Sequence, residues 1–129
     1  MKKQISIAFL TAFLSTTIFA APPTEKTFAG ELPVGVSDML DKLSSGGVGH
    51  VFIKKICDNK SEDVTLSEIR NQIHSTFKTN LNEKQSKVAK VYLENAISDK
   101  MKAFRFTYSN KSCEDLANLK TISKYYGFV

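Results

Sequence analysis

The chain has 129 residues, no tryptophan and a formal net charge of +5. Its lysines and glutamates are interspersed, and no dense basic stripe of the kind that tracks phosphates is present, which argues against a nucleic-acid partner. The length suits one domain and is too short for two full cores.

The N-terminus opens Met1-Lys2-Lys3 and then runs apolar from Ile5 to Phe19 before Ala20-Ala21. A basic start, an apolar stretch and small residues in that order make a cleavable secretory signal, predicted over residues 1–20. An apolar run of roughly 15 residues is short for a membrane span, which takes about 20. The expected product is therefore a periplasmic or secreted protein with no stable membrane insertion. Removing Lys2 and Lys3 with the signal lowers the net charge to +3. Residues 21–34 hold Pro22, Pro23 and Pro33 and show no apolar period, so they read as an extended arm ahead of a helical domain over residues 35–129.

Val36, Met39, Leu40 and Leu43 stand at helical spacing, and Ser44-Ser45-Gly46-Gly47-Val48-Gly49 follows them. Neither the ending nor the spacing of a phosphate-cradling loop is present. The glycines therefore mark a break between two helices or a site of close helix approach. A helix from about Val48 to Asp58 carries Val51, Phe52, Ile53, Ile56 and Cys57, a broad apolar face suited to a central element.

A polar turn over Asp58 to Asp63 leads to Thr65-Leu66-Ser67-Glu68, which has capping-box form, with Leu66, Ile69, Ile73 and Phe77 on one face beyond it. A loop over Lys78 to Asn82 precedes Asn82-Glu83-Lys84-Gln85, which repeats the cap spacing before a helix to about Lys102. Its expected buried stripe is Val88, Val91, Tyr92 and Ala96, widened by Ala89, Leu93, Ile97 and Met101. Its lysines read as a solvated face.

Phe104-Arg105-Phe106-Thr107-Tyr108 alternates aromatic and polar residues, a period of two that suggests an extended connection burying Phe104 or Phe106. Ser112 and Asp115 then favour a last helix with Leu116, Leu119, Ile122 and Tyr126 on one face, and Gly127 can reverse the chain after it. The predicted fold class is all-α, a small four- to five-helix bundle with one disulfide.

That disulfide is Cys57 to Cys113, expected because two cysteines in an oxidising compartment pair most simply with each other. A reactive thiol or a metal pair are the rival readings, but there is no Cys-x-x-Cys, and His50 and His74 show no ligand spacing. No metal and no cofactor are expected. No catalytic residue is assigned. His50 and His74 are the natural acid–base candidates by ordinary pKa, yet Ser37, Ser44 and Ser45 lack a nucleophile-elbow setting, and Glu114 beside Asp115 suits a helix start better than an acid–base pair.

Without a catalytic set the chain reads as a binding protein rather than an enzyme, its partner-binding residues unassigned. The aromatic segments Phe104 to Tyr108 and Tyr125 to Val129 are available as anchors or as core. Self-association as a homodimer is compatible with the same surfaces.

Lys111-Ser112-Cys113-Glu114-Asp115-Leu116, followed by Leu119-Lys120 and a terminal helix behind a signal peptide and a helix ending near Cys57, resembles the periplasmic immunity proteins of type VI secretion that neutralise amidase effectors. The resemblance implies a small α-helical periplasmic protein that plugs the active-site cleft of a peptidoglycan-cleaving amidase, a secreted toxin. The turns at Asp58 to Asp63 and Lys78 to Asn82 are exposed candidates for that contact. The alternative from a different class is a periplasmic stress or chaperone-like helical binding protein.

Overall fold

A computed structural model describes residues 31–129, and the expected signal and residues 21–30 of the arm lie outside them. Four helices form: α1 (Val36–Asp58), α2 (Glu62–Asn80), α3 (Glu83–Tyr108) and α4 (Ala117–Tyr125), the last entered through a single 3-10 turn (Glu114–Leu116). No strand is present among the described residues. Among the described residues the fold is thus a four-helix bundle rather than a five-helix one.

The difference lies in the glycines. α1 runs unbroken through Gly46, Gly47 and Gly49, all buried, so the expected break there does not occur and the alternative, close helix approach, does. A Cβ at Gly47 would stand 2.5 Å from Ile69 Cγ2 on α2, and one at Gly46 would stand 2.8 Å from the Tyr126 ring. One at Gly49 would meet the Ser123 hydroxyl of α4 at 3.1 Å. Missing side chains let two helices close onto α1, and the packing gained outweighs a helix-propensity loss of about 1 kcal/mol per glycine.

α1 is the central element and touches each of the other three helices, most extensively α3 and α4. Contacts set the directions. Gly47 meets Ile69 while Lys55 pairs with Glu62, so α2 runs antiparallel to α1. Asp41 receives the Tyr92 hydroxyl at 2.8 Å and Phe52 packs on Phe104, so α3 runs parallel to α1, and α4 returns antiparallel. Between α1 and α4 the buried Ser123 Oγ donates to the Gly46 carbonyl at 2.9 Å, giving a hydroxyl inside the core its partner.

Helix ends follow local chemistry with one correction. Asn82 Oδ1 accepts from Gln85 N at 2.8 Å, and Gln85 Oε1 accepts from Asn82 N at 3.1 Å, the reciprocal capping box expected of α3. The box expected at Thr65 to Glu68 does not form. α2 begins at Glu62, four residues before the Leu66 start that box implies, and Thr65 is buried with its hydroxyl donating to the Ser61 carbonyl. Glu62 and Asp63 favour the earlier start by placing negative charge at the positive end of the helix dipole. The interhelical turns shrink accordingly, to Asn59–Ser61 and Leu81–Asn82.

α3 also outruns its expected end. Residues 103–108 are helical rather than extended. Phe104 and Tyr108 are then one turn apart, their ring centroids separated by 5.6 Å, and both pack partly buried against the core, while Phe106 points away at 93% exposure. Val91, expected in the buried stripe, is 50% exposed, because the stripe is carried by Ala89, Tyr92, Leu93, Ala96, Ile97 and Met101.

The C-terminus turns at Gly127, φ +81°, where Phe128 N donates to the Ser123 carbonyl and Gly127 N to the Lys124 carbonyl. These are the two hydrogen bonds of a Schellman motif, and the left-handed residue they require is the glycine. The reversal returns Phe128 to the core. Leu32, at the other end of the described chain, is buried in the same core.

Candidate protein-binding groove

Cys57 on the last turn of α1 and Cys113 just before the 3-10 turn form the expected disulfide, with Cα atoms 4.9 Å apart. The bond holds the α3–α4 connection against the C-terminal end of α1. Asp115 stabilises that connection further, its Oδ2 accepting from Ser112 N at 2.9 Å and from Ser112 Oγ at 3.0 Å, so this carboxylate caps a helix start as its position suggests.

The histidines and serines do not converge on a site. His50 lies on α1 and His74 on α2, each half-buried, and one ring nitrogen of each, His50 Nδ1 and His74 Nε2, is buried without a hydrogen-bond partner. Burial pushes both imidazoles below their ordinary pKa, with Lys54 adding to the effect at His50 and Lys90 at His74. Ser44 is fully buried and donates to the Asp41 carbonyl. Among the described residues no three His, Cys, Asp or Glu side chains gather as metal ligands, and no helix is long and apolar enough to cross a membrane.

The aromatic segments divide. Tyr125 is 81% exposed, Tyr126 covers Gly46, and Phe128 is core. From the other segment, Phe104 joins the core edge and Phe106 stands free at the rim of a groove between α1 and α3.

That groove has a volume of about 510 Å3. It is lined by Ile56 and the edge of the buried Phe52 on α1, by Phe106 on α3, and by the cations Lys55, Lys102 and Arg105. Glu62 bridges two of the three cations, accepting from Lys55 Nζ at 2.6 Å and from Arg105 Nη2 at 2.8 Å, and these hydrogen bonds hold its carboxyl below the usual range. Lys102 has no ion-pair partner among the described residues. The result is an apolar trough edged by three cations, two of which share the Glu62 carboxylate.

From sequence alone Lys102 belongs to a solvated helix face at the expected end of the helix. Continued through Tyr108, the helical spacing of Lys102, Arg105, Phe106 and Ser109 would have placed all four on one side of α3. The contribution of α1 has no sequence signal, since Phe52, Lys55 and Ile56 meet that side only through tertiary packing.

Compared with family models, curated proteins and solved structures, the chain matches none.

Proposed function

We propose that this chain is an exported, non-catalytic protein-binding domain, an inhibitor or immunity protein that neutralises an envelope-targeting toxin of the peptidoglycan amidase class. The observation that carries the reading is Phe106. A large aromatic side chain left 93% exposed beside a cation-edged apolar groove, on a bundle stiffened by a disulfide, has the character of an anchor for another protein. The signal-like N-terminus and the resemblance at Lys111 to Leu116 supply the compartment and the toxin class.

The remaining exposed large apolar side chains among the described residues are spread over separate parts of the chain, Val34 ahead of α1, Met39 on α1, Val64 on α2, Val91 on α3, Tyr125 on α4 and Val129 beyond it. That dispersion favours a dedicated partner over a chaperone-like surface, which needs a contiguous apolar patch. A strain lacking the chain is expected to be killed in contact with its toxin-bearing parent, and restoring export of the chain rescues it. Equal survival of the two strains overturns the reading, and client protection without a dedicated partner would replace it with the chaperone-like one.

A further inference from the structure

We infer that the α1–α3 groove receives an acidic segment of the partner protein, one that lays an apolar side chain on Ile56 and Phe106 while its carboxylates pair with Lys102 and Arg105. This deepens the protein-binding reading above and rests on it.

Charge carries the choice of occupant. Three cations edge the groove and only Glu62 lies within ion-pair distance of them among the described residues. Arg105 uses Nη2 for Glu62, which leaves its Nε and Nη1 hydrogens for a second carboxylate. Lys102 is unpaired and exposed, so an incoming carboxylate displaces water rather than an existing partner.

The same features argue against other occupants. A second copy docked about a two-fold axis through this groove would set Lys102 and Arg105 against their own equivalents, and like charges across an interface repel. An acyl chain needs an enclosing pocket, whereas the Phe106 wall is almost entirely open to solvent. A nucleic acid needs a longer cationic track than three side chains, two of them already paired with Glu62, provide.

The test is titration of the purified, disulfide-bonded chain, followed by 15N–1H NMR, with a short peptide carrying one phenylalanine flanked by glutamates. Two controls replace the glutamates by glutamine or the phenylalanine by alanine. Shift changes are expected to centre on Lys55, Lys102, Arg105 and Phe106 and to weaken with added salt, with the glutamine control about fivefold weaker. Phe106→Ala is expected to weaken binding about tenfold and Lys102→Glu about fivefold, while Lys84→Glu at the opposite end of α3 leaves it unchanged. Both groove residues are exposed, so thermal melting confirms that the variants remain folded.

Equal binding of the glutamate and glutamine peptides, or unchanged binding by both groove variants, overturns the inference. So does a dimer that Phe106→Ala dissolves in sedimentation, or binding of dodecanoate at these residues in place of the acidic peptide. If the peptide binds as expected but the chain protects no cell, the groove stands and the toxin reading falls. If protection survives in the Phe106→Ala, Lys102→Glu double variant, the reading stands and the groove assignment falls.

Discussion

At the scale of single residues, the three glycines of α1 show how a side chain's absence becomes a packing device. Alanine is the better helix former, so Gly47→Ala would stabilise an isolated α1 by about 1 kcal/mol. In the bundle its methyl would sit 2.5 Å from Ile69 Cγ2, a branched atom in the core with nowhere to go. Overpacking of that kind costs about 1–3 kcal/mol, so the expected net effect is destabilisation, read as a lower urea midpoint at unchanged slope. Gly46→Ala is also expected to destabilise, because its methyl would meet Tyr126 at Cδ2 (2.8 Å) and at Cβ (3.0 Å), and the Cβ cannot move by side-chain rotation.

The two histidines act at the same scale through protons. Burial lowers the pKa of His50 and of His74 from 6.5, so the folded chain refuses protons that the unfolded chain accepts. Their contribution is intact above that value and is lost as pH falls through 6.5 towards the folded pKa values. Stability measured by urea unfolding is therefore expected to decline from pH 7.5 to pH 5, and a His50→Asn, His74→Asn double variant should flatten the slope. An equally steep decline in that variant would assign the effect to carboxylates, of which Glu62, Asp58 and Asp115 have lowered values and act below the histidine window.

At the scale of elements, the end of α3 separates structural from exposed aromatics within one turn and a half of helix. Phe104 packs on Phe52 and Tyr108, at centroid distances of 6.1 and 5.6 Å, whereas Phe106 touches little of its own chain. Phe104→Ala is expected to cost about 2 kcal/mol, below the range for a fully buried phenylalanine because the ring is half exposed. Phe106→Ala should fall within about 0.5 kcal/mol of the parent. Paired thermal melts check this, and a comparable loss for both would show that Phe106 belongs to the core.

An alternating aromatic pattern thus has two physical readings. On a strand Phe104, Phe106 and Tyr108 would share a face, but on a helix residues four apart share one and the residue between them points elsewhere. Preceding helical residues, a place for Phe104 beside Phe52 and one for Tyr108 against Phe104 decide for the helix.

At the scale of the whole molecule, the disulfide closes a loop of 56 positions that contains α2 and α3. Loop-closure entropy for that length corresponds to about 4 kcal/mol, a large share of the ~5–15 kcal/mol that holds a domain of this size. Cys57→Ala with Cys113→Ala is expected to lower the melting midpoint by roughly 15–30 °C, given about 4–8 °C per kcal/mol for small domains. A shift of only a few degrees would mean that the packing of α4 on α1, through Ser123, Leu119 and the glycines, already constrains the ends that the bond joins.

Much of this architecture was legible from short-range pattern alone. Apolar spacing marked the helical faces around Ile69, Ile73 and Phe77 and around Leu93 and Ile97, Asn82 and Gln85 announced their own cap, and Gly127 its reversal, because each of those signals completes itself within a few residues. The cysteine pair was legible from their number and the expected compartment. Three matters waited for the tertiary structure: that α1 continues through its glycines, that α3 continues to Tyr108, and that Lys55, Lys102 and Arg105 edge one groove over Phe52 and Ile56. Each depends on what stands opposite a residue in space, and a glycine, an aromatic or a lysine reads the same in sequence whether a neighbouring helix fills the space beside it or water does.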